Sequence, residues 1–158
     1  FKEKKQFISI MPTNLYGPND NYDRNSSHVL PALIRKIHEA KILKKTEVIL
    51  WGTGKPLREF LFVDDLSQFI LLVIENSVEK SIYNVGSGQE FSILELAIII
   101  KNILGYEGNI NFDPSMPDGT PRKLLNSKRA KELKWNPKIK LEDGIKMSYK
   151  WFLENVNL

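Results

Sequence analysis

With 158 residues, 42% of them hydrophobic and 27% charged, the chain has the make-up of an ordinary globular protein with enough material for a buried core. No apolar run approaches the ~18 residues of a membrane span, and the absence of cysteine excludes disulfides and thiolate metal sites. The net charge of +4 comes from basic residues mixed with Glu and Asp, as in Lys128 to Lys134, with no basic stripe interleaved with aromatics, so no nucleic-acid or membrane partner is expected. A cysteine-free chain suits a reducing compartment, and the N-terminal FKEKKQ leads into no apolar stretch long enough for a signal peptide. The expected location is cytoplasmic.

Phe7 to Ile10 reads as a buried strand, and Pro12, Asn14, Gly17 and Pro18 predict a loop straight after it, from Met11 to Pro18. Ligands in open α/β sheets bind beyond the carboxyl ends of strands, so that loop lies where a cofactor or substrate would sit. Val29, Leu30, Leu33, Ile34 and Ile37 follow helical spacing over residues 28–41, with Ser26 or Ser27 as cap. Glu47 to Trp51 predicts a strand ended by Gly52-Thr53-Gly54, and Arg58 to Val63 a second extended segment. Asp64 or Asp65 is expected to cap a helix with Leu66, Phe69, Ile70 and Val73 on its face. Ser81 to Val85 is a short strand ended by Gly86-Ser87-Gly88. Ser92 and Glu95 form a capping box before Leu96, Ala97, Ile100 and Ile103, and Gly105 ends that helix. A strand at Asn109 to Phe112, a polar Pro-rich stretch from Asp113 to Arg122, and helices from about Ser127 and Leu141 complete an alternating α/β pattern. Ile145, Tyr149 and Phe152 share a face of the last helix.

Few groups here can carry chemistry. His28, at a helix start, faces a dipole that disfavours imidazolium, which suits a neutral proton-transfer group; the plainer reading is a partly exposed capping residue. His38 sits among Lys36, Glu39 and Lys41 and reads as surface. Arg58 follows a Gly-rich turn, where a guanidinium either clamps a phosphate or pairs with Glu59 or Asp64. Trp51 reads equally as core or as a stacking platform. Arg122-Lys123 closes the stretch PDGTPRK with adjacent cations, which either meet an anion or stay solvated. The two GxG turns lack dinucleotide or P-loop spacing, and no metal-ligand or hydrolase motif occurs.

In order, MPTNLYGP, SSHVLPALIRK, LWGTGKPLREFLFVDDL, YNVGSG, PDGTPRKLLN and YKWFLEN resemble the C-terminal half of the GDP-L-fucose synthase family, a branch of the extended short-chain dehydrogenase/reductases. The resemblance covers essentially Phe7 to Asn155. It implies a single C-terminal sugar-nucleotide-binding portion over residues 1–158, with one or two strands belonging to a parallel Rossmann sheet whose NADP-binding half is not in this chain. It also implies that Pro12, Thr13, Asn14 and Leu15 lie against the nicotinamide half of NADP. His28 matches the acid/base of 4-keto-sugar epimerisation, near the cofactor. Trp51, Arg58 and Lys123 match substrate-side residues, the cations serving a GDP diphosphate. Lys36 stands where arginine is expected in relatives, keeping the charge without the planar fork. The family's Gly-rich fingerprint, catalytic serine, Tyr-x-x-x-Lys pair and epimerisation cysteine have no counterpart in this sequence. The expected activity of the whole protein is NADP-dependent conversion of GDP-4-keto-6-deoxy-D-mannose to GDP-L-fucose, by a homodimer. The alternatives are a related GDP-hexose or GDP-heptose 4-reductase or epimerase, and a non-catalytic GDP-sugar-binding module.

Overall fold

The computed structural model describes residues 7–76, 78 and 81–157, so the FKEKKQ segment lies outside the described residues. β1 (Ser9–Pro12) and β2 (Asn14–Tyr16) are followed by α1 (Val29–Ile42), β3 (Glu47–Trp51), β4 (Leu57–Phe62) and α2 (Val63–Glu75). Then come β5 (Ile82–Val85), β6 (Glu90–Ser92), α3 (Ile93–Leu104), β7 (Asn109–Asp113), β8 (Arg122–Lys123), α4 (Lys128–Glu132) and α5 (Leu141–Asn155). This is an α/β architecture with largely parallel pairing: β1 with β5, β3 with β7, and β2 and β8 with β4; β6 joins β4 antiparallel.

β4 is the hinge of the arrangement because it is buried on both faces. Phe60 and Phe62 enter a core with α1, α3 and α5, while Leu61 enters a second core with α2, β5 and Trp135. Strand alternation sends successive side chains to opposite faces, and each fully buried Phe or Leu contributes about 1.5–3 kcal/mol. The Ser92–Glu95 capping box and the left-handed Gly105 that ends α3 occur as expected. β6 and β8 carry little periodicity in three and two residues, and pairing with β4 alone makes them strands.

Six local expectations are corrected. Phe7 to Ile10 is not a buried strand: β1 begins at Ser9, and Phe7 and Ser9 stay exposed because among the described residues β5 alone pairs with β1. Met11 to Tyr16 is not a loop: Met11 and Pro12 extend β1 beside β5, and Asn14–Tyr16 forms β2, because β4 supplies a distant ladder partner that outweighs the turn-forming residues. α1 is capped by His28 rather than by Ser26 or Ser27, and α2 by Phe62 rather than by Asp64 or Asp65. Buried Asp65 instead accepts hydrogen bonds from Lys138 N and Ile139 N at 2.9 and 3.0 Å, tying α2 to the approach of α5. Ile70, expected on the buried face of α2, remains exposed. His38 is not a surface residue. It is 5% exposed, its Nδ1 lies 2.8 Å from the Tyr149 hydroxyl, and its ring meets Phe152 edge-on, because α5 covers that side of α1. Burial first, and the charge of Lys41 next, hold its imidazole below the ordinary histidine pKa.

Candidate active-site cleft

One cleft of about 640 Å³, a size suited to a small ligand, is lined by Pro12, Thr13, Asn14, Leu15, Asp20, His28, Lys123, Leu124 and Leu125. Its first wall is the step from β1 to β2. Thr13 N donates to Val85 O at 3.0 Å, closing the β1–β5 ladder, and the chain then crosses to β4. The Thr13 hydroxyl and the Asn14 side-chain amide both donate to Glu59 O, at 3.2 and 2.7 Å, which fixes their rotamers.

The second wall is the segment from Gly17 to His28. Tyr22 anchors it from below: the ring stacks on Trp151 and packs on Phe152, and its hydroxyl donates to Ser148 O at 3.2 Å. Asp23 Oδ1 accepts from Asn25 N, Ser26 N and Ser26 Oγ, an Asx turn that delivers the chain to His28 at the head of α1. Arg35 ties its own helix to the segment through Tyr22 O at 2.9 Å, and Glu39 bridges Arg24 and Arg35.

Lys123 comes from the third wall, through β8. It is the register partner of Arg58 on β4, so the two side chains leave neighbouring positions on adjacent strands. Arg58 does not pair with Glu59 or Asp64; its Nη1 donates to Leu57 O and Thr120 O at 2.8 and 2.5 Å. Pleating explains the split, since neighbours on a strand face opposite ways. Glu59, fully buried at 0% exposure, takes Gly88 N at 2.6 Å and Leu125 N at 3.1 Å, so one carboxylate joins two further segments to the strand that holds the Thr13–Asn14 wall. The sequence offered Glu59 only as a counter-ion for Arg58; nothing local marks a carboxylate destined to bind backbone amides.

Lys36, Trp51 and Arg58 are not among the lining residues of this cleft. Trp51 is 68% exposed at the end of β3, so it is no core residue and its face is open to a ligand ring. The 113–122 loop is bonded both to Thr53, two residues beyond Trp51, and to Arg58 through Thr120 O. Asp118 fastens that loop by accepting from Thr53 N and Thr53 Oγ1 at 2.8 and 2.6 Å, and Gly52, at φ 80°, leaves room where a Cβ would strike Asp118. Arg122, expected beside Lys123 as a free cation, is bound to Glu90 by a bidentate pair at 2.6–3.1 Å. Lys36 is exposed on α1, and partial desolvation, with the like charge of Lys45, holds its ammonium below the ordinary lysine value. Asp20, Leu124 and Leu125 are lining residues that the sequence did not single out, and Asp20 is the ionisable one among them. Among the described residues, no group of His and carboxylates could hold a metal ion, and no helix is long and apolar enough to cross a membrane.

The parallel strands, with a cleft at the carboxyl end of β1 lined by His28, are the arrangement in which open α/β sheets bind ligands. The family model described as NAD dependent epimerase/dehydratase matches residues 2–86, and the chain belongs to that family. It is 52% identical over 149 residues to the probable GDP-L-fucose synthase 1 of Oryza sativa subsp. japonica, covering 94% of this chain and 45% of that protein. The NADP-bound crystal structure of a GDP-L-fucose synthetase from Naegleria fowleri superposes with a TM-score of 0.85 at 35% identity, over 94% of this chain and 47% of that one. A GDP-D-glycero-L-gluco-heptose synthase from Campylobacter jejuni, solved in the presence of NADPH, gives 0.83 at 33% identity, over 98% and 54%. The chain thus spans about half the length of the relatives it matches.

Proposed function

We propose that this chain is the sugar-nucleotide-binding half of an NADP-dependent enzyme that converts GDP-4-keto-6-deoxy-D-mannose to GDP-L-fucose, by C3/C5 epimerisation and C4 reduction. The observation that carries the reading is the convergence of Pro12–Leu15, His28 and Lys123 on one cleft from three separate segments. Thr13 and Asn14 spend their side chains on Glu59, so the wall they leave is firm, with the apolar flanks of Pro12 and Leu15 suited to a flat ring. These residues fit the nicotinamide end of NADP, which when bound supplies the hydride for C4.

His28 acts next to the keto group of the sugar. As the C–H bond beside the carbonyl breaks, its imidazole takes the proton while the electron pair moves to the carbonyl oxygen; returning a proton to carbon completes one epimerisation. Arg58 and Lys123, paired in register, bind the diphosphate oxygens, and the open face of Trp51 stacks on a flat ring of the substrate. Lys36 adds a point charge to the diphosphate. The whole protein would work in the cytoplasm as a homodimer, which sedimentation of the intact protein checks.

The deciding experiment uses the intact protein with His28→Asn. Incorporation of solvent deuterium at C3 and C5 should fall ~10²–10⁴-fold while hydride transfer to C4 persists. Unchanged exchange would remove His28 from the chemistry. The likeness to the Campylobacter heptose synthase favours a second reading, a GDP-heptose or GDP-hexose 4-reductase. That reading predicts reduction of the keto sugar with no deuterium at C3 or C5 in the parent protein.

A further inference from the structure

Three ionisable side chains line the cleft, Asp20, His28 and Lys123, and the proposed function leaves Asp20 without a task. Its Oδ1 accepts from Asn21 N at 2.7 Å. Its Oδ2 is buried and has no hydrogen-bond partner among the described residues. A buried carboxylate oxygen without a donor is a cost to the fold, and such groups call for an explanation. Burial holds the Asp20 carboxyl above the ordinary aspartate value, with the Asn21 amide and then the charge of His28 pulling the other way.

The segment between the two residues is built to keep them where they are. Asn19, at φ 65°, takes the left-handed conformation and turns the chain into Asp20. Asn21 Nδ2 donates to Ser26 Oγ at 3.0 Å, the Asp23 turn follows, and Tyr22 is pinned under α5. The segment therefore brings Asp20 and His28 to the same cleft from its two ends.

We propose that Asp20 is a positioning residue for His28: with substrate in the cleft its unpartnered oxygen takes up the imidazole N–H, aims the opposite ring nitrogen at the sugar, and balances the charge the ring gains with a proton. This rests on the reading of His28 as the epimerisation acid/base. The carboxylate takes no proton in the step; the proton passes from sugar carbon to the free ring nitrogen, and the electron pair goes to the carbonyl oxygen.

The test compares Asp20→Asn and Asp20→Glu with the parent in the intact protein, using GDP-4-keto-6-deoxy-D-mannose and NADPH in deuterated buffer. In Asp20→Asn the rate of deuterium incorporation should fall on the order of 10²-fold in kcat, with KM and NADPH affinity within about twofold of the parent. The melting temperature should hold or rise, because an amide keeps the Asn21 contact and removes a carboxylate that burial disfavours. Asp20→Glu should regain part of the rate. Unchanged exchange in Asp20→Asn overturns the proposal. So does a fall in exchange that arrives with a lower melting temperature and weaker GDP binding, since that is what a purely structural turn residue would give. A parent protein that exchanges no deuterium overturns the His28 reading itself, and this proposal with it.

Discussion

Gly144 and Arg58 show how single residues are decided by what they meet. Gly144 lies on the buried face of α5, where a methyl group would overlap the Tyr16 hydroxyl and stand 2.8 Å from Phe62 Cδ2. Alanine gains ~1 kcal/mol in helix propensity, but overpacking between two buried rings costs about 1–3 kcal/mol. Gly144→Ala should therefore lose stability on balance, read as a lower urea midpoint with an unchanged slope. For Arg58, two donors are already spent on Leu57 O and Thr120 O through Nη1, while Nη2 stands beside Gly119 and remains for a ligand. If it binds the diphosphate, Arg58→Ala should raise KM by roughly 10–150-fold and lower kcat less, as expected for a charge-assisted contact of about 1.5–3 kcal/mol made in ground and transition states alike. Inhibition by GDP should weaken in parallel, and Arg58→Lys should recover only part. Equal GDP affinity in Arg58→Ala would leave the residue a tether for Thr120 and nothing more.

At the scale of elements, hydrogen-bonded carboxylates secure the turns around the site. The Asp118 carboxyl is held below the ordinary aspartate pKa of 3.8 by the Thr53 hydroxyl and then the Thr53 amide. Asp23 is lowered by the Asn25 amide first, and Asp113 by the Ser115 hydroxyl first. Each folded pKa lies below its unfolded value, so the stabilisation is complete above about 3.8 and disappears as pH falls through the lower folded value. The 113–122 loop should thus become sensitive to an acid-active protease below pH 3.8 while remaining protected at pH 6. Asp118→Asn should leave it sensitive at both, and an equally protected mutant loop would show that Asp118 does not hold it. α3 offers a cleaner measurement: Ser92→Ala breaks the capping box and should cost ~1 kcal/mol in chemical denaturation.

For the whole molecule, the exposed apolar residues matter most. Among the described residues, β1 and β5 pair only with each other, and Phe7, Met11, Ile82 and Ile74 are all exposed, Ile74 to 73%. A two-stranded parallel sheet is marginal by itself, and unpaired strand edges invite association. The chain by itself should associate at micromolar concentration in light scattering and should oxidise no NADPH with the keto sugar. A monodisperse monomer, or measurable turnover, would contradict this. Much of this organisation was legible in the sequence. The periodicity of residues 28–41, the Ser92–Glu95 box and Gly105 are short-range signals, and they place α1 and α3 within a residue or two of their observed ends. β6, β8 and the strand character of Asn14–Tyr16 were not legible, because each exists only as a ladder on β4, dozens of residues away.

The sequence by itself determined the α/β alternation, the histidine at the head of α1, the ordered set of motifs and hence the family. These depend on residue type and local spacing, which a linear reading preserves. Only the tertiary structure decided that His38 is buried beneath α5, that Glu59 binds Gly88 and Leu125 rather than Arg58, and that Asp20 enters the cleft with an unpartnered oxygen. Burial and hydrogen-bond partners come from segments distant in the chain, and the chemistry of a carboxylate or an imidazole is set by those neighbours.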